Sequence, residues 1–334
     1  LKSPRTRSWL LRGIGAVIVA YVVLVLALMW WWDYEPAHFD VAATAQARVA
    51  ARNEHVVTGT VTTAALITSA QTLLDKRGGY LSNDKFPPGV LMDNVPNWEF
   101  GVLTATRDLA RSLRNDFSRS QTQSIEDKDL QEADPLFSSP NDRWLLPSSE
   151  SQYRKAIAHV DGYLSRLSDN DATNAQFYAR ADNLTDYLQT ISARLGSLSQ
   201  RLSAAAGQVR LDTDLAGDQH AQQSTPGVSP RMVKTPWSKI DDNFYEARGY
   251  TWALREQLEA IRIDFAPILA SKNATVSLEQ VIRELEESQK PVYSPIILNG
   301  TPFGFFANHS LVMANYISRA NAAVIDLREL LKRG

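Results

Sequence analysis

Three short stretches carry the side chains best suited to covalent chemistry. Ser82-Asn83-Asp84-Lys85 has S-x-x-K spacing, Ser168-Asp169-Asn170 is an S-D-N triplet, and Lys234-Thr235-Pro236 half-matches K-T-G. In that order they mimic penicillin-recognising serine enzymes, whose serine opens a buried helix and whose K-T-G lies on a strand. This chain departs from the pattern. Pro87-Pro88 follow the lysine closely, and Pro236 stands where a glycine would admit substrate. Motifs this short recur by chance, so no catalytic residue is assigned to them.

Asp241, Asp242 and Glu246 form an acidic cluster, with Asp242 and Glu246 one helical turn apart. Paired carboxylates hydrolyse glycosides or bind metal. Acids also favour a helix N-terminus through the backbone dipole, and Arg248 stands ready to pair with them. His309 lies beside Asn308 in an apolar neighbourhood, the setting of a structural histidine. His38, His55, His159 and His220 lack ligand spacing such as H-E-x-x-H, so no zinc is expected. The chain has no P-loop, no G-x-G-x-x-G and no G-x-S-x-G. It also has no cysteine, which excludes disulfides, thiol catalysis and Cys-based metal sites. No catalytic, cofactor-binding or metal residue is therefore assigned, and no cofactor is expected.

The element that must position everything else is the uncharged run Gly13–Trp32, about 20 residues, enough for a helix to cross a bilayer core. Lys2, Arg5, Arg7 and Arg12 precede it; Asp33, Glu35 and Asp40 follow. The basic flank is expected to stay cytoplasmic and the remainder to lie outside. Trp30, Trp31 and Trp32 suit an outer aromatic belt. A cleaved signal peptide would have a shorter apolar core and small residues at its end, so an uncleaved anchor is expected. The first residue is Leu1 and not Met, which leaves room for a few preceding residues. Lys plus Arg total 35 and Asp plus Glu 37, and the one basic cluster is the N-terminal tail, so no nucleic-acid partner is expected.

Beyond the anchor, apolar residues step by 4 and 3, the spacing of helices packed side by side. Val56, Thr60, Thr63, Ile67, Ala70 and Leu74 form one seam, closed by Gly78-Gly79. Residues 80–97 read as a proline-rich apolar loop, with Asn97 capping a helix to about Ser120. Residues 121–147 read as an irregular connection with a short helix. Ser149 and Gln152 predict a capping box for the next helix. The cleanest seam is Phe177, Ala181, Leu184, Leu188, Ile191, Leu195, Leu198 and Leu202. Packing within the chain is favoured there, although a homo-oligomer would use the same pattern. A flexible linker is predicted at 211–233, where large apolar groups are almost absent. Thr235-Pro236 predicts a helix start, Ser277 with Gln280 another capping box, and Asn299-Gly300 a short β-hairpin near 292–306. Asn308 caps the last helix.

The resulting expectation is a mainly α protein. A cytoplasmic tail (1–12) and a transmembrane helix (13–32) precede an elongated periplasmic helical bundle in two parts, 33–210 and 234–334. Three segments, GGYLSNDKFPPGVLMDNVPNWEFGVL, TPWSKIDDNFYEARGYTWAL and ILNGTPFGFFANHSLVMANYISRANAAVIDL, resemble an uncharacterised family of proteobacterial single-pass inner-membrane proteins, the domain of unknown function numbered 2333. The resemblance covers nearly the whole chain. It implies a Gram-negative source and a periplasmic domain, and it brings no reaction and no catalytic residues.

Two functions are weighed on this basis. The first is a membrane-anchored scaffold or interaction module of the cell envelope with a protein partner. Its contact surface would draw on Trp98, Trp237, Asp241, Asp242, Glu246, Arg248, Trp252, Phe305, Phe306, Asn308 and His309, which mix aromatic and polar groups. The same aromatics would equally well plug the end of the bundle. The second is an envelope hydrolase acting on peptidoglycan or glycans through Asp242, Glu246 or Ser82, which requires a deep cleft around those groups.

Overall fold

The computed structural model of the chain describes residues 4–120, 125–169, 171, 173–210, 231–294, 296–302 and 304–333. Helix α1 (Pro4–Trp32) begins within the stretch expected as a tail, with Pro4 at a first-turn position that needs no N–H partner. Its portion Leu11–Trp32 has a mean hydropathy of 2.5 and is long and apolar enough to cross a membrane.

The chain then builds a helical body with two distinct ends. Helices α2 (Val41–Ala50), α4 (Asn94–Ser112), α6 (Ser149–Leu167), α8 (Ile240–Asp264) and α11 (His309–Lys332) run away from α1. Helices α3 (Thr60–Asp75), α7 (Ala181–Ser203) and α10 (Thr275–Ser288) return toward it. The short helices α5 (Lys128–Phe137) and α9 (Ala266–Ser271) fill in between. The directions follow from contacts: Thr62 meets Asp264 at the far end, while Lys76 meets Glu99 and Arg201 meets Glu246 at the anchor end.

The parallel pair α4 and α8 forms the spine. A Cβ placed on Gly101 would stand 2.1 Å from the Glu246 carbonyl oxygen, and one on Gly249 would stand 2.0 Å from that of Trp98. Glycine is required at both positions because the two backbones touch there. Around the spine, α7 and α11 pack antiparallel, joined by Ser192–Asn321 at 2.8 Å and Ser199–Ser318 at 2.5 Å. Leu184, Leu188, Ile191, Leu195, Leu198 and Leu202 are all buried, so this chain fills its own cleanest seam. Helix α3 keeps its threonines by burying Thr60, Thr62 and Thr63 and by turning the Thr63, Thr68 and Thr72 hydroxyls back onto carbonyls one turn earlier.

Several local expectations are corrected. Asp93, not Asn97, caps α4; Asn97 lies inside the first turn and donates Nδ2 to the Asp93 carbonyl oxygen. Ser148, not Ser149, caps α6, because the Ser149 hydroxyl is drawn to the Pro140 carbonyl oxygen at 2.8 Å. Phe177 precedes α7 in an extended stretch and packs on Phe117 and Phe265. Thr235-Pro236 introduces a 3₁₀ turn (Trp237–Lys239) before α8, and the Ser277–Gln280 box is absent because α10 already begins at Thr275. The strand pair is β1 (Gln208–Arg210) with β2 (Arg231–Val233), antiparallel, so the linker's last three residues are paired; residues 211–230 lie outside the described residues. The hairpin expected near 292–306 is instead a loop closed by one antiparallel bridge, Asn299 to Asn308. There the Asn side chains compete for the backbone: Asn308 Nδ2 donates to Asn299 Oδ1 at 2.9 Å and to the Gly300 carbonyl oxygen.

Candidate functional site

Residues 33–40 leave the apolar helix and are strapped along α8. Arg248 Nε donates to Glu35 Oε1 at 2.5 Å, Trp252 Nε1 donates to the Pro36 carbonyl oxygen at 3.0 Å, and His38 Nδ1 meets Glu256 Oε1 at 2.5 Å. The His38 ring stacks on Trp252 with centroids 6.0 Å apart, and Phe39 and Trp98 contact the same indole. Arg77 lies over the rings of Trp31 and Tyr34, at 4.3 and 4.1 Å. Gly78, with φ +83°, leaves room for Trp32: a Cβ there would come within 2.7 Å of its Cδ2. The junction between helix and body is thus a packed joint.

Beside the joint, Glu99 is a fully buried carboxylate. It accepts from the amides of Leu81 and Ser82, both at 2.8 Å, from the Ser82 hydroxyl at 2.5 Å, and from buried Lys76. Burial pushes its pKa up; the Lys76 charge and these hydrogen bonds pull it down, and the balance remains a raised value. With four donors satisfied, this group holds the start of the 80–93 loop and has no vacancy for a reactant.

A groove of about 370 Å³ opens beside Phe244 and Arg248 of α8, between the α10 C-terminus and the α11 N-terminus. Phe244, Val292, Met313 and Tyr316 supply apolar walls, and Arg248 and His309 supply polar groups. Arg248 is held from behind: its guanidinium donates to the carbonyl oxygens of Ser288, Gln289 and Lys290, capping α10. His309 Nδ1 accepts from the Leu298 amide at 3.1 Å, which requires a neutral ring with the proton on Nε2, and burial lowers its pKa in the same sense. A volume in this range suits a small ligand or a few anchoring side chains of a partner.

The residues singled out from sequence divide into two sets. Trp98 and Trp252 are each 2 % exposed and touch one another in the core, and Arg248 is buried as described. Trp237 is 83 % exposed, Phe305 100 % and Phe306 72 %. Asp241 shares a smaller cleft with Trp237, Tyr245 and Ile296. Asp242 accepts from Asn97 Nδ2 and Lys239 Nζ, and Glu246 is paired in bidentate fashion with Arg201 at 2.6 Å. Asn308 caps α11 by accepting from the Leu311 amide at 2.9 Å.

The enzyme-like motifs do not assemble. Lys85 is exposed, and the nearest ionisable partner of the Ser82 hydroxyl is Glu99. Ser168 ends α6 at the far end, whereas Asn83 contacts Glu150 at the start of that helix. Its 19 residues span roughly 28 Å at 1.5 Å per residue. Asn170 lies outside the described residues. Ser82, Asp242 and Glu246 line none of the clefts named here. Among the described residues, no group of three or more His, Asp or Glu side chains has metal-binding geometry.

Sequence reasoning missed Glu35, His38, Lys76, Glu99 and Glu256. Glu35 and Arg248 are 213 positions apart, beyond the reach of any local spacing. One signal was available: Glu99 is in helical phase with Leu103, Thr106, Ala110 and Leu113, so a charge sat on an inward face.

Comparison with curated proteins and with solved structures finds no match to this chain. A family model described as an uncharacterised protein conserved in bacteria (DUF2333) matches residues 4–334, nearly the full length, in keeping with the three segments noted above. A match of that extent makes the chain a member of the DUF2333 family of uncharacterised bacterial proteins.

Proposed function

We propose that this protein is a single-pass, membrane-anchored helical scaffold whose body stands on the periplasmic side and receives an envelope protein partner. The observation that carries the reading is the joint at residues 33–40. Arg248 simultaneously grips the connector, through Glu35, and the wall of the groove, through three carbonyl oxygens at the end of α10. An anchor needing mere proximity would be served by a loose tether; a packed joint holds the body at a set orientation to the bilayer. The charge asymmetry across α1, basic before and acidic after, supports the outward placement.

The partner surface takes in the groove and the exposed aromatics Trp237, Phe305 and Phe306. Large exposed aromatics, and a groove whose apolar walls carry Arg248 and His309, have the composition of interaction hot spots. A photo-crosslinking residue placed at Phe306 or Val312 in living cells should yield a discrete adduct that is absent when it is placed at Val276, an exposed position at the far end. Identical products from all three positions, or none, would sink the reading. A reporter fused after Lys332 tests the topology: activity specific to the cytoplasm contradicts the outward placement.

A further inference from the structure

Exposed aromatic side chains are unevenly spread over the body. Among the described residues beyond the connector they are Phe86, Trp144, Trp237, Tyr293, Phe305 and Phe306, and all belong to segments at the end where α1 leaves. The opposite end turns its rings inward, with Phe117, Phe177 and Phe265 packed on one another.

Two of the anchor-end loops form one apolar patch. Phe86 meets Trp144 edge-on with centroids 5.8 Å apart, and Val90, Leu91, Leu145 and Leu146 are exposed in the same two loops. The loops are fixed to each other: Tyr80 Oη donates to the Asn141 carbonyl oxygen at 2.9 Å and Asn83 Nδ2 to that of Arg143 at 2.8 Å. The patch continues onto α1, because Leu91 and Met92 share a cleft of about 180 Å³ with Met29, Trp30 and Asp33. Lys85, Asp142 and Arg143 are exposed within these loops, and Arg77 stacks on Trp31, so charged groups border the patch.

We propose that Phe86, Val90, Leu91, Trp144, Leu145 and Leu146 insert into the headgroup–acyl boundary of the bilayer that α1 crosses. This rests on reading α1 as a membrane span. The occupant is lipid and not a protein, because the patch is continuous, through the cleft at Met29 and Trp30, with the aromatic end of that span. The body then touches the membrane at two places, the helix and the patch, and its tilt is set by both.

The chain has no cysteine, so nitroxide labels on single-cysteine variants report one site each. The full chain is reconstituted in phosphatidylethanolamine–phosphatidylglycerol vesicles with the label at Leu146→Cys, Phe86→Cys, Val22→Cys or Val276→Cys. Collisions with oxygen should exceed those with a water-soluble nickel complex severalfold at 22, 86 and 146, and the order should invert at 276. Nickel-dominated collisions at 86 and 146, with 22 still in lipid, overturn the patch alone. Position 22 in water overturns the anchor and the patch with it. Low collision rates with both reagents at 86 and 146 show that protein covers the patch, which also overturns the proposal.

Discussion

The two ends of the body are each closed by a buried carboxylate, and the two carboxylates work differently. At the far end Asp264 accepts from the Thr62 amide and hydroxyl, both at 2.7 Å, and so caps α3, whose own cap position is Gly59 with no side chain to offer. At the anchor end Glu99 gathers two loop amides, a hydroxyl and the Lys76 ammonium. Burial raises both carboxyls. A helix N-terminus already presents aligned N–H groups and a favourable dipole, so neutral donors suffice for Asp264. The 80–93 loop offers no such aligned set of donors, and a buried cation completes the set. The lesson is that the far end is a closed terminus of regular structure, whereas the anchor end is a collection of loops held by ionic and aromatic contacts.

That contrast has measurable consequences. Glu99→Ala leaves Lys76 buried without its counter-charge and should cost about 3–5 kcal/mol, read by urea unfolding of the full chain in detergent. Asp264→Ala should cost less, about 1–3 kcal/mol, since it strands neutral donors. A larger loss at Asp264 than at Glu99 would reverse the ranking of the two ends. Gly249→Ala pushes α8 away from α4 where it packs on Trp98 and should cost about 1–3 kcal/mol, seen as a single lowered melting transition. Two separated transitions would show that the spine does not couple the two ends.

A smaller effect comes from pH. Asp116, near the far end, is pushed up to about 6, first by burial and then by Asp186, against a hydrogen bond from Ser112. A carboxyl that holds its proton more tightly when folded contributes stability at low pH. That contribution is lost as pH climbs from the ordinary aspartate range through about 6. Asp116→Asn should therefore stabilise the protein near pH 7 by under about 1 kcal/mol after solvent screening, with the gain vanishing near pH 4. A gain that persists at pH 4 would assign the effect to something other than titration. The smallest change should follow Phe305→Ala, under about 0.5 kcal/mol by thermal melting, because the residue is fully exposed and its ring meets only the edge of another exposed ring, Phe306. A large destabilisation would mean that anchor-end aromatics support the fold and not a partner.

Much of the helical scaffold was legible in advance, and the reason is local. Met313, Ile317, Ala320, Val324, Leu327 and Leu331 repeat with helical period and are all buried along α11, and Asn308 caps it as its position suggested. Where two polar residues competed for one terminus, as Ser148 and Ser149 did, spacing could not choose, because a distant carbonyl took the other hydroxyl. Asn299-Gly300 carried a turn signal, but both residues sit in a bridged arm, with the Gly300 amide donating to the Ala307 carbonyl oxygen at 3.0 Å, and the chain turns beyond them.

From the chain's order alone came an apolar segment long enough for a bilayer, the mainly helical character and the inward faces, all properties of residues within one or two turns of each other. The pairings Glu35–Arg248, His38–Glu256 and Lys76–Glu99 came from folding, as did the burial of Trp98 and Trp252 while Phe305 and Trp237 remain outside. Long-range partners are chosen by which helices approach closely enough to exclude water, and that choice is a property of the packed molecule as a whole.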